Sequence, residues 1–130
     1  MLSEFRNFLS SLNDVSNIVE YQDGTISFQY QGFTFLFAWS NDDPSYIRLM
    51  LPRIAELSSF DNEEAALRAV DIYNKRYKTA KMCMYEDSIW LLVEQFVYSR
   101  SRIRDLFTRI IRVLISASRE FAQQYINSRE

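Results

Sequence analysis

The sequence predicts an α+β fold in which an antiparallel β-sheet is flanked by helices, as a single domain over residues 1–130. Apolar residues recur at helical spacing near the start, in the middle and towards the end of the chain, as in amphipathic helices. Alternating or continuous apolar runs bounded by turn residues fill the intervals, which is typical of strands. The 130 residues, 48% hydrophobic and 25% charged, fit one globular domain.

The first element is predicted to be a short helix, because its apolar residues are spaced by three and four positions. Asn13-Asp14 is predicted to end it. The residues that share its apolar face are Leu2, Phe5, Leu9 and Leu12.

An antiparallel meander is predicted to follow this helix. A short strand over 17–21 leads into Asp23-Gly24, a dipeptide typical of hairpins. The next strand covers 25–30, where apolar and polar residues alternate. The segment 17–21 is the least regular of these, so the meander has either four strands or three.

The meander continues through a strand with four aromatic residues on one face. Gln31-Gly32 predicts the two-residue turn before it, and the polar turn 41–45 follows it. The next strand covers 46–51, and Pro52 is predicted to end it because proline has no N–H for the ladder. The four aromatic residues are Phe33, Phe35, Phe37 and Trp39.

These four aromatic side chains have two interpretations. A sheet of aromatic side chains can stack nucleic-acid bases, but such platforms have basic neighbours. The nearby charges here are Asp42 and Asp43, opposed only by Arg48. Packing against a helix is therefore favoured, since aromatic side chains dominate buried area.

The middle of the chain predicts a second helix after a connection over 53–60. Asp61 is predicted as its N-cap, with Glu64 as the partner in a capping box. Asn74 falls within the apolar stripe, and we expect its amide to be hydrogen-bonded, fixing the helix against the following strand. The stripe contains Leu67, Val70, Asn74 and Tyr77, flanked by Ala66 and Tyr73.

The last third predicts a hairpin and a long helix. Strands over 79–85 and 88–98 flank Glu86-Asp87, and the second of them is apolar on both faces at 89–93, which predicts an internal position in the sheet. Ser99 or Ser101 can cap the last helix, which runs from Ile103 to about Asn127. The predicted order is α-β-β-β-β-α-β-β-α, or α-β-β-β-α-β-β-α if 17–21 is irregular.

This order of elements, together with the segment VDIYNKRYKTAKM over 70–82, resembles the YbjN domain family, whose second helix carries a V-x-x-(aromatic)-N segment that runs into a strand. The resemblance implies the fold of the type III secretion chaperones, which are small, acidic, homodimeric proteins that hold extended secretion substrates. It implies a binding or chaperone-like domain and supplies no catalytic residues. The plain connection at 53–60 and the arginine-rich last helix depart from it.

Composition excludes several classes of function. Histidine is absent, which excludes Ser-His-Asp hydrolysis and His-ligated zinc. One cysteine and two glycines leave no disulfide framework and no Gly-rich phosphate loop. We therefore expect no cofactor and no metal. The net charge of −2 argues against nucleic-acid binding.

Two further properties indicate where the protein works. No apolar run approaches the roughly 20 residues of a membrane span, so no membrane association is expected. A single cysteine between two methionines favours a reducing compartment. We therefore expect a cytoplasmic protein.

Cys83 and the paired carboxylates are the candidates for an enzymatic role. The pairs are Asp42/Asp43, Glu63/Glu64 and Glu86/Asp87, and turn or cap chemistry explains all three. Cys83 has Lys81 on the same face of its strand, which would favour a reactive thiolate. Without a histidine base we favour a structural cysteine; a small enzyme using Cys83 or the carboxylates stays the alternative.

The last helix supplies the candidate interface. Three consecutive apolar residues, 113–115, span about 200° of the helix, more than the roughly 100–140° that one packed face hides. Some of Leu106, Val113 and Ile115 are therefore expected outside the intramolecular contact. Such exposed apolar area is typical of an interface, and an isologous homodimer is the commonest way to cover it.

Arginines share this helix with the apolar candidates. Residues 1–97 contain 8 basic and 14 acidic side chains, whereas 98–130 contain seven arginines and three acids. A solvated face explains them most simply; the alternative is a phosphate or acidic-partner site, or contact with an acidic surface of a second subunit. The arginines on one helix face are Arg102, Arg109, Arg112 and Arg119.

Together these observations predict a non-enzymatic protein-binding module, chaperone-like or regulatory. We expect a homodimer that binds an extended polypeptide, with Leu106, Val113, Ile115, Arg109 and Arg112 as interface residues. A structural subunit of a larger complex is a further alternative. Such a polypeptide can add to a sheet edge or lie along an aromatic groove, using backbone hydrogen bonds.

Overall fold

The order of elements in the computed structural model, which describes residues 1–126, is the longer of the two predicted orders. The segment that the sequence left open forms a strand, and the α+β class is confirmed. The predicted end of the last helix, Asn127, lies outside the described residues. The helices and strands are α1 (Leu2–Ser11), β1 (Ser16–Glu20), β2 (Ile26–Tyr30), β3 (Phe33–Trp39), β4 (Tyr46–Glu56), α2 (Glu63–Arg76), β5 (Lys81–Tyr85), β6 (Ser88–Phe96) and α3 (Ile103–Phe121).

The strands form one antiparallel sheet in the order β1-β2-β3-β4-β6-β5. The meander β1 to β4 follows from its short turns, since sequential antiparallel strands pair as neighbours. β6 pairs with both β4 and β5, which confirms the internal position predicted from its apolar residues. β1 and β5 are the two edges of the sheet.

Two glycine-containing turns close the first hairpins. Gln31 and Gly32 have φ angles of 50° and 81°, which is the left-handed geometry of a two-residue hairpin turn. Gly24 has φ +88°, and a Cβ at this position would lie 2.9 Å from the carbonyl oxygen of Trp39. Both the backbone conformation and the close approach of β3 therefore require glycine at position 24.

Pro52 does not end its strand, contrary to prediction. β4 pairs with β6 as far as Leu51, shifts register, and pairs again at Ala55. Arg53, inside this shift, has φ 55°, as expected for a bulge. A bulge accommodates proline because residues within it do not need a ladder N–H.

The predicted start of α2 is also wrong by one residue. Asn62, rather than Asp61, is the N-cap, and its Oδ1 accepts a hydrogen bond from the Ala65 N–H at 2.8 Å. The third helical position is therefore Ala65, so the capping box with Glu64 does not form. Glu64 pairs instead with Arg68 at 2.6 Å.

The buried stripe of α2 is rotated relative to the predicted one. Leu67 is 47% exposed, because the small Ala66 and Ala69 face inwards instead and let the helix lie against β5. Val70 and Tyr73 complete the buried side.

The last helix begins without a side-chain cap. Arg102 occupies the N-cap position and its side chain makes no capping hydrogen bond. The predicted serine cap is wrong: the Ser99 and Ser101 hydroxyl groups hydrogen-bond to each other at 3.1 Å.

The core lies between the helices and one face of the sheet, here called the inner face. The ring of Phe5 from α1 stacks on Phe37 at 3.9 Å and meets the edge of Phe107 from α3 at 4.9 Å. Phe28 and Phe35 stack at 5.1 Å. All five rings are fully buried, so the prediction of core packing is confirmed for Phe35 and Phe37. At the margin of this core, the half-buried members of the predicted ladder are Phe33 and Trp39.

Candidate functional site

The face of the sheet opposite the helices, here called the outer face, carries apolar side chains. Side chains alternate between the two faces of a strand, so Arg48 and Met50 of β4 point away from the buried Ile47 and Leu49. The helix–strand contacts of residues 1–126 lie on the inner face, and none of the apolar outer-face side chains packs against the core. The half-buried members of the outer face are Ser27, Leu36, Ala38, Tyr46, Arg48, Met50, Cys83, Trp90 and Leu92.

Three of these residues form a continuous apolar row. Leu36 on β3 is the register partner of Met50 on β4, and Met50 is the partner of Leu92 on β6. Register partners lie about 4.5–5.5 Å apart, so the row crosses three strands without interruption. Sequence reasoning missed this row, although the apolar runs at 35–39 and 89–93 carry its signal.

A charged row lies beside the apolar one. Arg48 and Glu94 are register partners, and Arg48 Nη2 lies 2.9 Å from Glu94 Oε1. A hydrogen bond with the Tyr46 side chain, together with Glu94, raises the pKa of Arg48. Arg48 Nε is shielded from solvent and has no hydrogen-bond partner among residues 1–126.

Exposed aromatic rings border the outer face at two places. Phe96 contacts Tyr46 at 5.5 Å and stacks on Tyr98 at 6.0 Å between ring centroids. Tyr85 contacts Trp90 at 5.2 Å. Tyr85 and Phe96 are more than half exposed, and Tyr98 is 83% exposed. Rings of this kind are enriched in protein interfaces.

The two edges of the sheet differ. At β5, the Asn74 side chain from α2 donates from Nδ2 to the Met82 carbonyl and accepts from the Met82 N–H, both at 2.8 Å. The amide occupies this edge as a neighbouring strand would. The prediction that Asn74 is hydrogen-bonded and fixes α2 to the next strand is confirmed, although the residue is exposed and not buried.

The β1 edge is bulged at Asn17 (φ 53°) and open at Glu20, and all five of its residues are exposed. The Tyr21 N–H donates to the Thr25 carbonyl at 2.8 Å. Because backbone direction alternates along an antiparallel strand, the N–H and C=O of Glu20 point away from β2. Ile18 and Val19 add apolar surface there, at 51% and 45% exposure.

The apolar interface candidates on α3 are mostly occupied. Ile115 is only 6% exposed and belongs to the core, so the expectation that it lies outside the intramolecular contact is wrong. Leu106 and Val113 are half-buried and pack against the core. The estimate from one helix face failed because α3 has α1 on one side and α2 on the other, which covers a wider arc: Phe107 contacts Phe5 and Phe121 contacts Tyr73.

Arg109 and Arg112 are exposed, as the sequence predicts. Asp105 forms no ion pair with Arg109 in the described part of the chain. The Arg119 guanidinium lies over the Phe33 ring at 5.6 Å. Two grooves flank this side of α3, one of about 500 Å³ towards the end of α1 and one of about 340 Å³ towards α2, and both are lined by Arg112 and Ser116.

Cys83 lies half-buried on the outer face, as the register partner of Trp90. Burial raises the pKa of its thiol, Glu94 raises it further, and Arg48 opposes them. The charges that act on the thiol are these two rather than the predicted Lys81. A raised pKa disfavours the nucleophilic thiolate.

The carboxylate pairs sit in turns or at a helix start, and Glu63 and Asp87, from two different pairs, line one groove of about 420 Å³ together with Glu56. Glu63 and Glu64 occupy the first turn of α2, where the helix dipole favours acids. Asp87, in the turn between β5 and β6, pairs with Arg53 at 3.3 Å. In residues 1–126, no group of three acidic, cysteine or histidine side chains could hold a metal ion.

Comparison with known proteins adds no family assignment: the chain matches no family model and no curated protein. The resemblance to YbjN domains and type III secretion chaperones stays a prediction. None of the helices in residues 1–126 combines the length and apolar character needed to cross a bilayer.

Proposed function

We propose that this chain is a non-enzymatic protein-binding module, and that its outer face associates with a second copy of the chain. The observation that carries the proposal is the apolar row of Leu36, Met50 and Leu92, which no helix of residues 1–126 covers. Contiguous exposed apolar area is typical of interaction sites. We thus propose a homodimer, as expected from the sequence, but with its contact on the outer face of the sheet instead of on α3.

The size of the outer face fits a dimer contact. The sheet is six strands wide. At about 4.8 Å between strands and about 24 Å of average strand length, the face covers roughly 700 Å². A standard interface buries about 800 Å² per partner.

The charged row supports a second copy as the occupant. In an isologous contact the same patch lies on both sides. A twofold axis near Arg48 and Glu94 sets a cation and a carboxylate on each side, so charges of opposite sign meet across the contact. Complementary charges of this kind fix orientation and suppress other partners.

Light scattering on the variant Leu92→Glu tests this contact. We expect the dimer mass for the unmodified chain at tens of micromolar, and the monomer mass for Leu92→Glu, because the new carboxylate lies in the apolar row. The matched control is Leu67→Glu, the same change at an exposed leucine of α2, which keeps the dimer. Circular dichroism establishes that both variants fold.

Two results would contradict the contact. One is a monomer mass for the unmodified chain at this concentration. The other is a dimer that survives Leu92→Glu but is lost in Val113→Glu, which would place the contact on α3, as the sequence first suggested.

The extended polypeptide expected from the sequence is proposed to bind at the β1 edge. Support comes from the contrast between the edges: Asn74 occupies the β5 edge, whereas the backbone of Glu20 is unpaired towards solvent in residues 1–126. An added strand would pair with this backbone, and its side chains would meet Ile18 and Val19.

Glu20→Pro tests the edge, with Glu20→Ala as its control. Both variants lose the ion pair between Glu20 and Arg6, but only proline removes the outward N–H. The probe is a short labelled peptide of alternating valine and threonine with lysine ends. We expect Glu20→Pro to weaken its binding about fivefold relative to Glu20→Ala, as for one lost hydrogen bond. Equal binding by the two variants, or no binding of the peptide, rejects the β1 edge.

The proposal includes the cytoplasmic location and a chaperone-like or regulatory role. One cysteine in the sequence supports the location, and an open sheet edge supports the role. The small enzyme stays the alternative, favoured by any turnover that Cys83→Ser abolishes. A structural subunit is favoured if the chain is recovered only within a larger assembly.

A further inference from the structure

The groove between α2 and α3 carries a set of cationic side chains. It has a volume of about 340 Å³ and lies where the end of α2 and residues 78–80 face the middle of α3. Lys78 reaches it from the loop, and Arg109 and Arg112 from the helix. One turn of α3 separates the two arginines, so both lie on the same side of the helix.

These three cations have no counter-ion within the described chain. Arg6, Arg48, Arg53, Arg68 and Arg100 each pair with a carboxylate. The side chains of Lys78, Arg109 and Arg112 form no ion pair or hydrogen bond with any residue of 1–126. The chain is acidic overall, so the positive charge of this groove is opposite in sign to the net charge of the protein.

Hydroxyl groups supply further hydrogen-bond donors to the groove. Thr79 and Ser116 line it. Tyr73, only 4% exposed, also lines it, and its hydroxyl is shielded from water and has no hydrogen-bond partner among residues 1–126. A buried hydroxyl without a partner is destabilising, and an anion bound in the groove offers the acceptor that Tyr73 lacks.

Glu120 lies near the tyrosine end of the groove. It hydrogen-bonds with the Tyr77 side chain, and burial together with the charge of Glu120 raises the pKa of both Tyr73 and Tyr77. The apolar part of the groove, which includes Val113 and Ala117, leaves room for an organic group beside the anion. Three cations with several hydroxyl donors match a doubly charged anion with three or four oxygens.

We propose that this groove binds a phosphate group, with Lys78, Arg109 and Arg112 as its ion partners and the Tyr73 hydroxyl as an additional donor. The site is separate from the outer face and the β1 edge, so it stands or falls independently of the proposed function. A phosphate ester places its organic part against Val113.

Calorimetry with two probes, inorganic phosphate and phenyl phosphate, tests the site. We expect phenyl phosphate to bind, and Arg112→Gln to weaken its binding about tenfold, as for a lost charge-assisted hydrogen bond. Arg104→Gln is the matched control: it removes the same charge from α3 outside the groove and is expected to change binding less than twofold. Tyr73→Phe is expected to weaken binding without lowering the melting temperature.

The two probes identify the source of the phosphate. Tighter binding of phenyl phosphate than of inorganic phosphate indicates an ester with an organic part, and equal binding indicates the phosphate group alone; both support the site. The site is overturned if neither probe binds, or if Arg104→Gln and Arg112→Gln weaken binding equally. Binding of a glutamate-rich peptide without binding of either phosphate also overturns it, in favour of an acidic protein segment.

Discussion

Within residues 1–126, the helices cover the inner face and the β5 edge of the sheet and leave the outer face and the β1 edge open. On the inner face, Phe35 and Phe37 are fully buried, and Phe37 packs against α1 and α3. At the β5 edge, the Asn74 side chain hydrogen-bonds with the backbone of Met82. On the outer face Leu36 is only half-buried, and the β1 edge is unpaired among the described residues. Neighbouring residues of one strand, Leu36 and Phe37, thus have opposite surroundings.

This difference separates what stabilises the chain from what is available for binding. Burial of aromatic side chains against helices drives folding, and an occupied edge blocks unwanted pairing. An apolar row and an unpaired backbone outside that core contribute little to folding of the single chain, because solvent still reaches them. The outer face and the β1 edge are therefore the surfaces most available to partners.

Phe35→Ala and Leu36→Ala compare the two faces directly and carry the largest expected effect. Phe35→Ala is expected to lower the free energy of unfolding by about 3–5 kcal/mol, as for a fully buried phenylalanine. Leu36→Ala is expected to lower it by less than about 1.5 kcal/mol in dilute solution, since the side chain is only half-buried. Urea unfolding monitored by circular dichroism measures both.

Protein concentration sharpens this comparison. If a second copy covers the outer face, the loss caused by Leu36→Ala grows with concentration, because association stabilises the folded state. The loss of unfolding free energy caused by Phe35→Ala is expected to be the same at all protein concentrations. Equal losses at the two positions in dilute solution would mean that the outer face is packed within the single chain.

Asn74→Ala compares the two edges and is expected to have an intermediate effect. It leaves the Met82 N–H and carbonyl without partners, which costs about 1–3 kcal/mol. Asn74→Asp keeps the acceptor and loses the donor, so we expect a smaller loss. Chemical denaturation gives both values. A neutral result for Asn74→Ala would show that water replaces the amide and that the β5 edge is effectively open.

The sequence predicted the elements well because local signals determine them. The spacing of Leu2, Phe5 and Leu9 is sufficient to predict α1, and Gln31-Gly32 is sufficient to predict the turn between β2 and β3. Pro52 was misjudged because a bulge, set by pairing with β6, takes the proline out of the ladder. Tertiary pairing of this kind has no local signature.

The candidate surfaces were harder to predict. The apolar row requires the register that brings Leu36, Met50 and Leu92 side by side across three strands, and the pairing of β4 with β6, which are distant in the sequence, is not a local property. Ile115 was one of three interface candidates of which some were expected outside the intramolecular contact, but it is buried, because α3 packs against two other helices and the prediction considered only one packed face. The hydrogen bonding of Asn74 was predicted from burial in an apolar stripe, but the residue is exposed, and its amide is bonded because the β5 edge presents the Met82 backbone.

Cys83 carries the smallest expected effect, and it tests whether the open face contains chemistry. Burial raises the pKa of the thiol and Glu94 adds to this, whereas Arg48 opposes it. The raised pKa favours the neutral thiol in the folded state. Its contribution to stability is therefore fully present below the unfolded-state pKa of about 8.5 and is lost as the pH rises through the folded-state value.

The rate of reaction with a disulfide reagent across pH 7–10 measures this pKa. We expect slower reaction in the native state than in denaturant, with a midpoint at higher pH. Glu94→Gln is expected to lower the midpoint, because it removes the carboxylate that disfavours the thiolate and leaves Arg48 unpaired. Cys83→Ser is expected to change stability only slightly, since the side chain lies outside the core. Native reaction as fast as in denaturant, together with an activity that Cys83→Ser abolishes, would move Cys83 from a structural to a catalytic role and turn the open face into an active site.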